Sequence, residues 1–179
     1  MNHEGTQKQT SHAMMTGQFN DKESVEAAYQ SLRDQGYNED EINVIMSDDT
    51  RKKYYANDTD SEIGSKAAEG TGVGGLIGGT LGAIIAGVAA IGTSLVLPGI
   101  GLVVWGPVAA ALAGAGAGGL AGGLVGALVG WGIPEDRAKL YEEGIKNGGT
   151  VLGVTPRDAD QAARLRTEWE STHRGSNVY

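Results

Sequence analysis

Glycine motifs, histidines and an acidic segment are the parts of this sequence whose spacing resembles a site of chemistry. The pattern GxGxxG occurs twice, beginning at Gly70 and at Gly114. In dinucleotide-binding folds this pattern follows a buried strand, opens the helix that holds the pyrophosphate, and precedes an acidic residue for the ribose. Neither match follows an apolar strand or precedes a suitably placed acid. Glycine density alone accounts for both, and we expect no nucleotide cofactor.

The remaining candidates do not predict a metal site or a catalytic pair. His3, His12 and His173 lie in polar tails, where we expect solvated side chains. The acidic run between Asp48 and Glu62 lacks the glycine and closing glutamate of a calcium loop, so a solubilising linker is favoured. The chain has no cysteine, which excludes thiolate chemistry and disulfides. We predict a protein that is not an enzyme, with no catalytic residue, metal, cofactor or small-molecule substrate.

Charge excludes a further class of function. The formal net charge is −8, and the arginines near the end of the chain are dispersed among acids without interleaved aromatics. Nucleic acids and anionic lipid surfaces are bound electrostatically by basic surfaces. We therefore expect no nucleic-acid partner, and any affinity for a membrane must come from apolar burial.

The segment from Thr71 to Ile133 decides what the protein can be. It runs for about 60 residues without a charged side chain or histidine, and it contains most of the 30 glycines. Small residues recur in it at every fourth position, a spacing that places them on one face of a helix. The glycines of the two ladders are Gly74, Gly78 and Gly82, then Gly114, Gly118, Gly122, Gly126 and Gly130.

Both ladders predict close contact between helices. A glycine inside a helix costs roughly 1 kcal/mol relative to alanine, so a ladder needs compensation from its surroundings. A second backbone packed directly against the bare face supplies it. We therefore predict that these glycines are helix-packing residues.

Between the ladders, the stretch from Thr93 to Pro107 is rich in proline and glycine and predicts a turn. Two helices of about 25 residues would each be about 37 Å long, enough to cross a hydrocarbon core of ~30 Å with some tilt. We predict a glycine-zipper antiparallel helical hairpin over residues 66–133.

Lipid or protein must cover the apolar faces of such a hairpin. Trp105 near the predicted apex and Trp131 at the far end would serve as interface anchors in a membrane. Basic residues occur at both ends of the hairpin and not at its apex, which predicts a cytoplasmic-membrane location with both termini cytoplasmic.

Two alternatives to a stably inserted hairpin remain open. Glycine and alanine are weakly hydrophobic, and an uncharged helix can equally lie in the buried core of an oligomer. The hairpins of several chains could therefore pool in a soluble cytoplasmic homo-oligomer, or a peripheral form could insert only under stress. A soluble monomer is disfavoured because its exposed apolar patch would be too large.

The flanking residues predict two halves of one small α+β body. Residues 13–47 read as strand, helix and strand, and residues 134–170 as helix, strand and helix. Each half is too short to fold alone, but a hairpin brings its two ends together, so the halves can form one three-stranded sheet. We predict a split ferredoxin-like arrangement, with 1–12 and 171–179 as disordered tails and 48–65 as a polar linker.

These pieces together resemble the bacterial general stress proteins of the heat-induced type, a family that includes similar cold-induced proteins. The resemblance covers most of Ala13 to Trp169. It rests on TGQFNDKESVEAAYQSLRDQGYNEDEINVIMSDD, on the glycine-rich centre with its exit GIPEDRAKLYEEGIKNGG, and on TVLGVTP. It implies a stress-responsive, non-enzymatic protein with possible membrane association, and it offers no catalytic residues to carry over.

Overall fold

A single antiparallel sheet forms the centre of the fold in the computed structural model, which describes residues 14–55, 95–97, 101–109, 123–130 and 132–179. The strands are β1 (Met15–Phe19), β2 (Ile42–Ser47), β3 (Leu95–Leu97), β4 (Leu102–Trp105) and β5 (Thr150–Val154). Among the described residues the strand order is β1-β5-β2-β4-β3, with every neighbouring pair antiparallel.

One interior strand of the sheet, β5, comes from the second half of the chain. β5 follows the glycine-rich segment, yet it pairs with β1 on one side and with β2 on the other. Val154 accordingly lies opposite Met15 in one pairing and opposite Ile42 in the other. The two halves share one sheet, and the predicted α+β class is confirmed.

The described helices are α1 (Lys22–Asp34), α2 (Asp48–Tyr55), α3 (Gly123–Gly130), α4 (Glu135–Lys146) and α5 (Ala159–Ser171). Asp21 begins α1 by accepting a 2.9 Å hydrogen bond from the Ser24 amide, and Asp158 caps α5 in the same way. Gly36 follows α1 and Gly148 follows α4, both with positive φ that ends the helix. Local capping therefore sets these four boundaries.

Helices cover both faces of the sheet, because successive strand residues point to opposite sides. The first core lies between the sheet and α1, α2 and α5, and contains, among others, Phe19, Val44, Trp105 and Trp169. The second core lies between the sheet and α3 and α4, and contains, among others, Ile45, Val104, Leu128 and Tyr141. Burial on both sides explains why β1, β4 and β5 are buried along their whole length.

The stretch predicted to be the apex of the helical hairpin belongs to the sheet instead. Residues 95–97 form β3 and residues 102–105 form β4. β4 pairs with β2 on the side of β2 that faces away from β5. The sequence LVVW is β-branched and aromatic, which suits a strand buried on both faces. Gly101, with φ of 66°, immediately precedes β4. The predicted three-stranded sheet is thus extended by two strands from within the segment 66–133.

Two segments predicted to lack structure are ordered. The first part of the predicted linker 48–65 is helix α2, which begins at Asp48 directly after β2. The predicted disordered tail 171–179 pairs antiparallel with the free edge of β1, with Ser176 opposite Gln18. We call residues 176–179 the tail strand. Unsatisfied backbone groups at the edge of β1 explain its position, since pairing with the tail provides their hydrogen bonds. Residues 1–12 lie outside the described residues.

Candidate helix-packing surface

Helix α3 contains Gly126 and Gly130, the last two glycines of the second ladder. One face of this helix packs on the second core, where Leu124 is 3% exposed and Leu128 is 1% exposed. The helix also contacts α4, which follows it after a short connection. Two leucines four residues apart therefore attach this end of the glycine-rich segment to the body.

The ladder glycines of α3 lie on the opposite face. Gly126 and Gly130 each follow a buried leucine by two positions, which places them about 200° further around the helix. Gly130 is exposed, and its neighbour Val129 is 42% exposed. No described atom lies within 4 Å of the position a Cβ would take on Gly130. Within the described part of the chain, the ladder faces away from the body.

The other predicted helix-packing residues lie outside the described residues: Gly74, Gly78, Gly82, Gly114, Gly118 and Gly122. Trp131, the predicted interface anchor at the end of the second ladder, also lies outside them. Only Gly126 and Gly130 of the eight ladder glycines can therefore be located.

Trp105, the other predicted interface anchor, lies inside the body. It ends β4 opposite Val44 of β2, and only 2% of it is exposed. The indole is part of the first core, in contact with protein rather than available to a lipid interface. In this conformation the predicted anchoring role of Trp105 is wrong, because β4 joins the sheet and one of its faces points into the first core.

A buried asparagine binds the backbone where the chain leaves β4. We call residues 106–130, which contain the second ladder, the second glycine-rich segment. Asn43 accepts a 2.9 Å hydrogen bond from the Val108 amide through Oδ1, and donates a 3.2 Å bond to the Gly153 carbonyl through Nδ2. Gly106 packs against the backbone of β2 with φ of 91°, and its Cβ position would overlap the Ile42 carbonyl oxygen. Sequence analysis missed Asn43, although a single amide in the apolar run INVIM is a signal.

Helix α2 follows β2 directly and runs from Asp48 to Tyr55. The Asp48 carboxylate at its first turn binds Arg51 at 2.7 Å and Lys52 at 2.6 Å. Burial opposes ionisation of Asp48, but the hydrogen bonds from Lys52 and Arg51 outweigh it and lower the pKa of this carboxyl. Tyr55 at the other end is buried, with the Lys22 ammonium 5.5 Å from its ring centre. Tyr55, the last described residue of α2, is therefore held in the first core.

The side chains with nucleophilic or basic groups are arranged for packing. Glu168 of α5 accepts hydrogen bonds from the Ser31 hydroxyl and the Gln35 amide, and His173 Nε2 lies 3.1 Å from the same carboxylate. A catalytic triad places the histidine between the hydroxyl and the carboxylate, whereas here the carboxylate lies in the middle. His173 is thus paired with Glu168 and is not the solvated tail residue that we predicted.

Two buried tyrosines have perturbed acidity without a chemical role in this arrangement. Burial raises the pKa of Tyr141, although the hydrogen bond with Thr16 partly opposes this, and burial likewise raises the pKa of Tyr37. The hydroxyl of each tyrosine forms a hydrogen bond with a residue distant in sequence. Tyr37 donates its bond to the Gln161 side chain at 2.6 Å. Both tyrosines therefore connect separate parts of the body.

Metal sites and membrane spans were sought within the described ranges only. No cluster of three or more His, Cys, Asp or Glu side chains that could bind a metal occurs there. The helices of the described part also include none with the length and apolarity needed to cross a bilayer. In comparisons with known proteins, no family model, curated protein or solved structure matches this chain.

Proposed function

We propose that this chain is a non-enzymatic bacterial general stress-response protein that acts through its glycine-zipper helices. These helices insert into or assemble at the cytoplasmic membrane, with both termini cytoplasmic. The orientation of α3 carries the proposal. Its leucines bind the body, and Gly130 is exposed with no described atom within 4 Å of its Cβ position, so this part of the bare face is left for a partner. The resemblance of the sequence to heat-induced stress proteins supplies the biological setting.

The body that carries these helices is a split variant of the ferredoxin-like sandwich. Supporting this, β1 and β2 are both antiparallel to β5, which lies between them, and α1 connects β1 to β2. The tail strand follows α5 and pairs with β1, giving the order tail-β1-β5-β2. α1 and α5 both pack in the first core, on one face of this sheet. The glycine-rich segments would then be insertions between β2 and β5.

The positions of β3 and β4 limit how the helices can enter a membrane. A single hairpin spanning the bilayer with its apex at residues 93–107 would have to withdraw both strands from the sheet. That step would expose Leu102, Val103, Val104 and Trp105, all of which are buried. Assembly along the outward glycine faces, with β3 and β4 in place, needs no such rearrangement.

A soluble homo-oligomeric scaffold is the second candidate. The burial of Trp105 favours it, because this residue was the anchor predicted for the distal interface of a spanning hairpin. In the scaffold, glycine faces from several copies pack together and exclude water without lipid. The partner is then a further copy of this chain.

Gly130→Leu is the substitution that tests both candidates with the least damage to the body. Its Cβ meets no described atom within 4 Å, and leucine favours helix by about 1 kcal/mol relative to glycine. The body should therefore be unchanged or slightly more stable, while helix association should weaken because the bare face is blocked. Gly118→Leu and Gly122→Leu should weaken association in the same way. Val129→Leu adds volume at an exposed position outside the ladder and serves as the matched control.

Two measurements separate the candidates. Oligomer size is measured by sedimentation velocity on detergent-free supernatant, and membrane partition by carbonate-resistant pelleting from cells. Loss of pelleting in the ladder variants would support membrane assembly, and loss of a defined soluble oligomer would support the scaffold. If all three ladder variants retain the oligomer size and membrane fraction of the control, the glycine faces do not mediate association.

A further inference from the structure

The tail strand closes the edge of β1 with paired backbone hydrogen bonds. The amides of Gln18 and Ser176 each donate to the carbonyl of the other, at 2.9 and 2.8 Å. Thr16 and Tyr179 form a second reciprocal pair, at 3.0 and 2.8 Å. These four bonds continue the antiparallel pairing of the sheet beyond its named strands, with a bulge of one extra tail residue between the two pairs, where Asn177 has φ of 51°. They depend on backbone groups, which every copy of the chain presents identically.

Side chains add specificity to this edge contact. Val178 is 6% exposed and belongs to the first core. The Tyr141 hydroxyl of α4 donates a 2.6 Å hydrogen bond to the Asn177 carbonyl, and the Arg137 guanidinium lies 5.0 Å from the ring centre of Tyr179. β1 and α4 therefore form a groove that fits this particular segment.

The turn that delivers the tail strand to its own β1 is tight and strained. Arg174 adopts a left-handed backbone conformation with φ of 53°, which is unfavourable for a residue with a long side chain. The Gly175 amide then donates a 2.6 Å bond to the Trp169 carbonyl at the end of α5. A Cβ on Gly175 would lie 2.9 Å from that oxygen and 3.1 Å from the Phe19 ring. Closing the tail onto the same copy thus depends on two unusual backbone positions.

We propose that the tail strand is exchangeable between copies, so that the groove formed by β1 and α4 of one chain binds residues 176–179 of a second copy. The second copy fits because it supplies the same backbone bonds, the same Val178 and the same Tyr179. Opening the turn releases Arg174 from its left-handed conformation, and short strained connections favour exchange of this kind. The contact uses the body alone and does not rest on the glycine-rich helices.

The absence of cysteine from the sequence allows a direct test in the full-length chain. Gln18→Cys and Ser176→Cys place thiols on directly opposed residues, so the double variant should form an internal disulfide. For the exchange itself, the two single variants are distinguished by a mass tag, unfolded in urea, refolded together and oxidised. A yield of the disulfide joining one variant to the other that exceeds random collision requires the tail of one copy to reach β1 of another. The control for disulfides formed by random collision uses Ser171→Cys in place of Ser176→Cys, because Ser171 is exposed and lies outside the tail strand.

Hinge variants should shift the yield of the mixed disulfide in opposite directions. Arg174→Gly removes the strain of the closed turn and should lower the yield at least about fivefold at equal protein concentration. Gly175→Ala crowds the Trp169 carbonyl in the closed turn and should raise it. A mixed yield no greater than that of the collision control, with the internal disulfide intact in the double variant, would overturn the exchange. Absence of the internal disulfide would overturn the pairing on which the proposal depends.

Discussion

Replacing Gly106 with alanine should destabilise the body, because this glycine lies where β4 leaves the sheet against the backbone of β2. Its φ is 91°, a region that residues with a Cβ rarely adopt. The added Cβ would lie 2.9 Å from Asn43 Cα and closer still to the Ile42 carbonyl oxygen. Neither backbone atom can move without disturbing the pairing of β2 with β4 and β5.

The expected loss has two parts. A left-handed backbone conformation costs a residue other than glycine about 1–2 kcal/mol. Forcing a methyl group against packed atoms costs about 1–3 kcal/mol more. Gly106→Ala should therefore lower the free energy of unfolding by about 2–5 kcal/mol. Gly101→Ala is the matched control, because Gly101 also has positive φ but no described atom lies within 4 Å of its Cβ position. The control should lose only the conformational part, about 1–2 kcal/mol.

Urea unfolding of the full chain, followed by far-ultraviolet circular dichroism, measures both losses at one temperature. The difference between the two variants isolates the close approach of β4 to β2, and it should be about 1–3 kcal/mol. Equal losses would refute the reasoning, because they would mean that Gly106 has as much free space as Gly101. That result is expected if residues 93–107 form the free apex of a helical hairpin, as the sequence first suggested.

Two further substitutions test the connections within the body. Tyr141→Phe leaves the Thr16 hydroxyl and the Asn177 carbonyl without the tyrosine hydroxyl; we expect a loss of about 1–3 kcal/mol in urea unfolding and faster proteolysis within the tail strand. Asp48→Asn should cost about 1 kcal/mol at pH 7, since it removes the pairing with Arg51. The folded pKa of Asp48 lies below its ordinary value of 3.8, so its contribution is present above that pH and disappears as pH falls through the folded pKa. Urea midpoints of variant and parent should therefore converge as the pH falls below the folded pKa, and a constant difference down to acid unfolding would contradict the assignment.

The flanking elements were predictable because their signals are local. Helix α1 buries Val25, Ala28, Tyr29 and Leu32, which recur at helical spacing, and Gly36 follows it, so the whole signal lies within about four turns of helix. Helices α4 and α5 likewise bury residues at helical spacing. Such patterns need no knowledge of distant contacts, which explains why the α+β class followed from them.

The strands β3 and β4 could not be recognised in the same way. β4 pairs with β2, which lies about 55–60 residues earlier in the chain, and β3 pairs with β4; the surrounding glycines and prolines favoured a turn. LVVW was a strand signal, but in a segment so apolar it was equally compatible with a helix. The strand conformation of β4 depends on a long-range contact. One edge of β2 pairs with β5, and β4 provides hydrogen bonds to the other edge.

The tail strand was missed for a related reason. Its sequence SNVY contains one residue that enters the core, Val178, and the contact otherwise consists mainly of backbone pairing, with two contacts from α4 and two long side-chain hydrogen bonds to Gln18. Backbone hydrogen bonds leave no pattern in the side chains. The role of the glycine ladders in helix packing stays a prediction: on α3, Gly126 and Gly130 lie at four-residue spacing away from the buried Leu124 and Leu128, and the other ladder glycines lie outside the described residues.

The strands β3 and β4 also change what the glycine-rich segments can do. A hairpin joined to the body only at its two ends could move away as one arm. Here the chain returns to the sheet at Leu95 and leaves it again at Trp105, so the two ladders are separated by two strands of the body. The second segment is further held at its start by Asn43 and at its end by Leu128. The position of residues 106–109, where this segment begins, therefore depends on the pairing of β4 with β2.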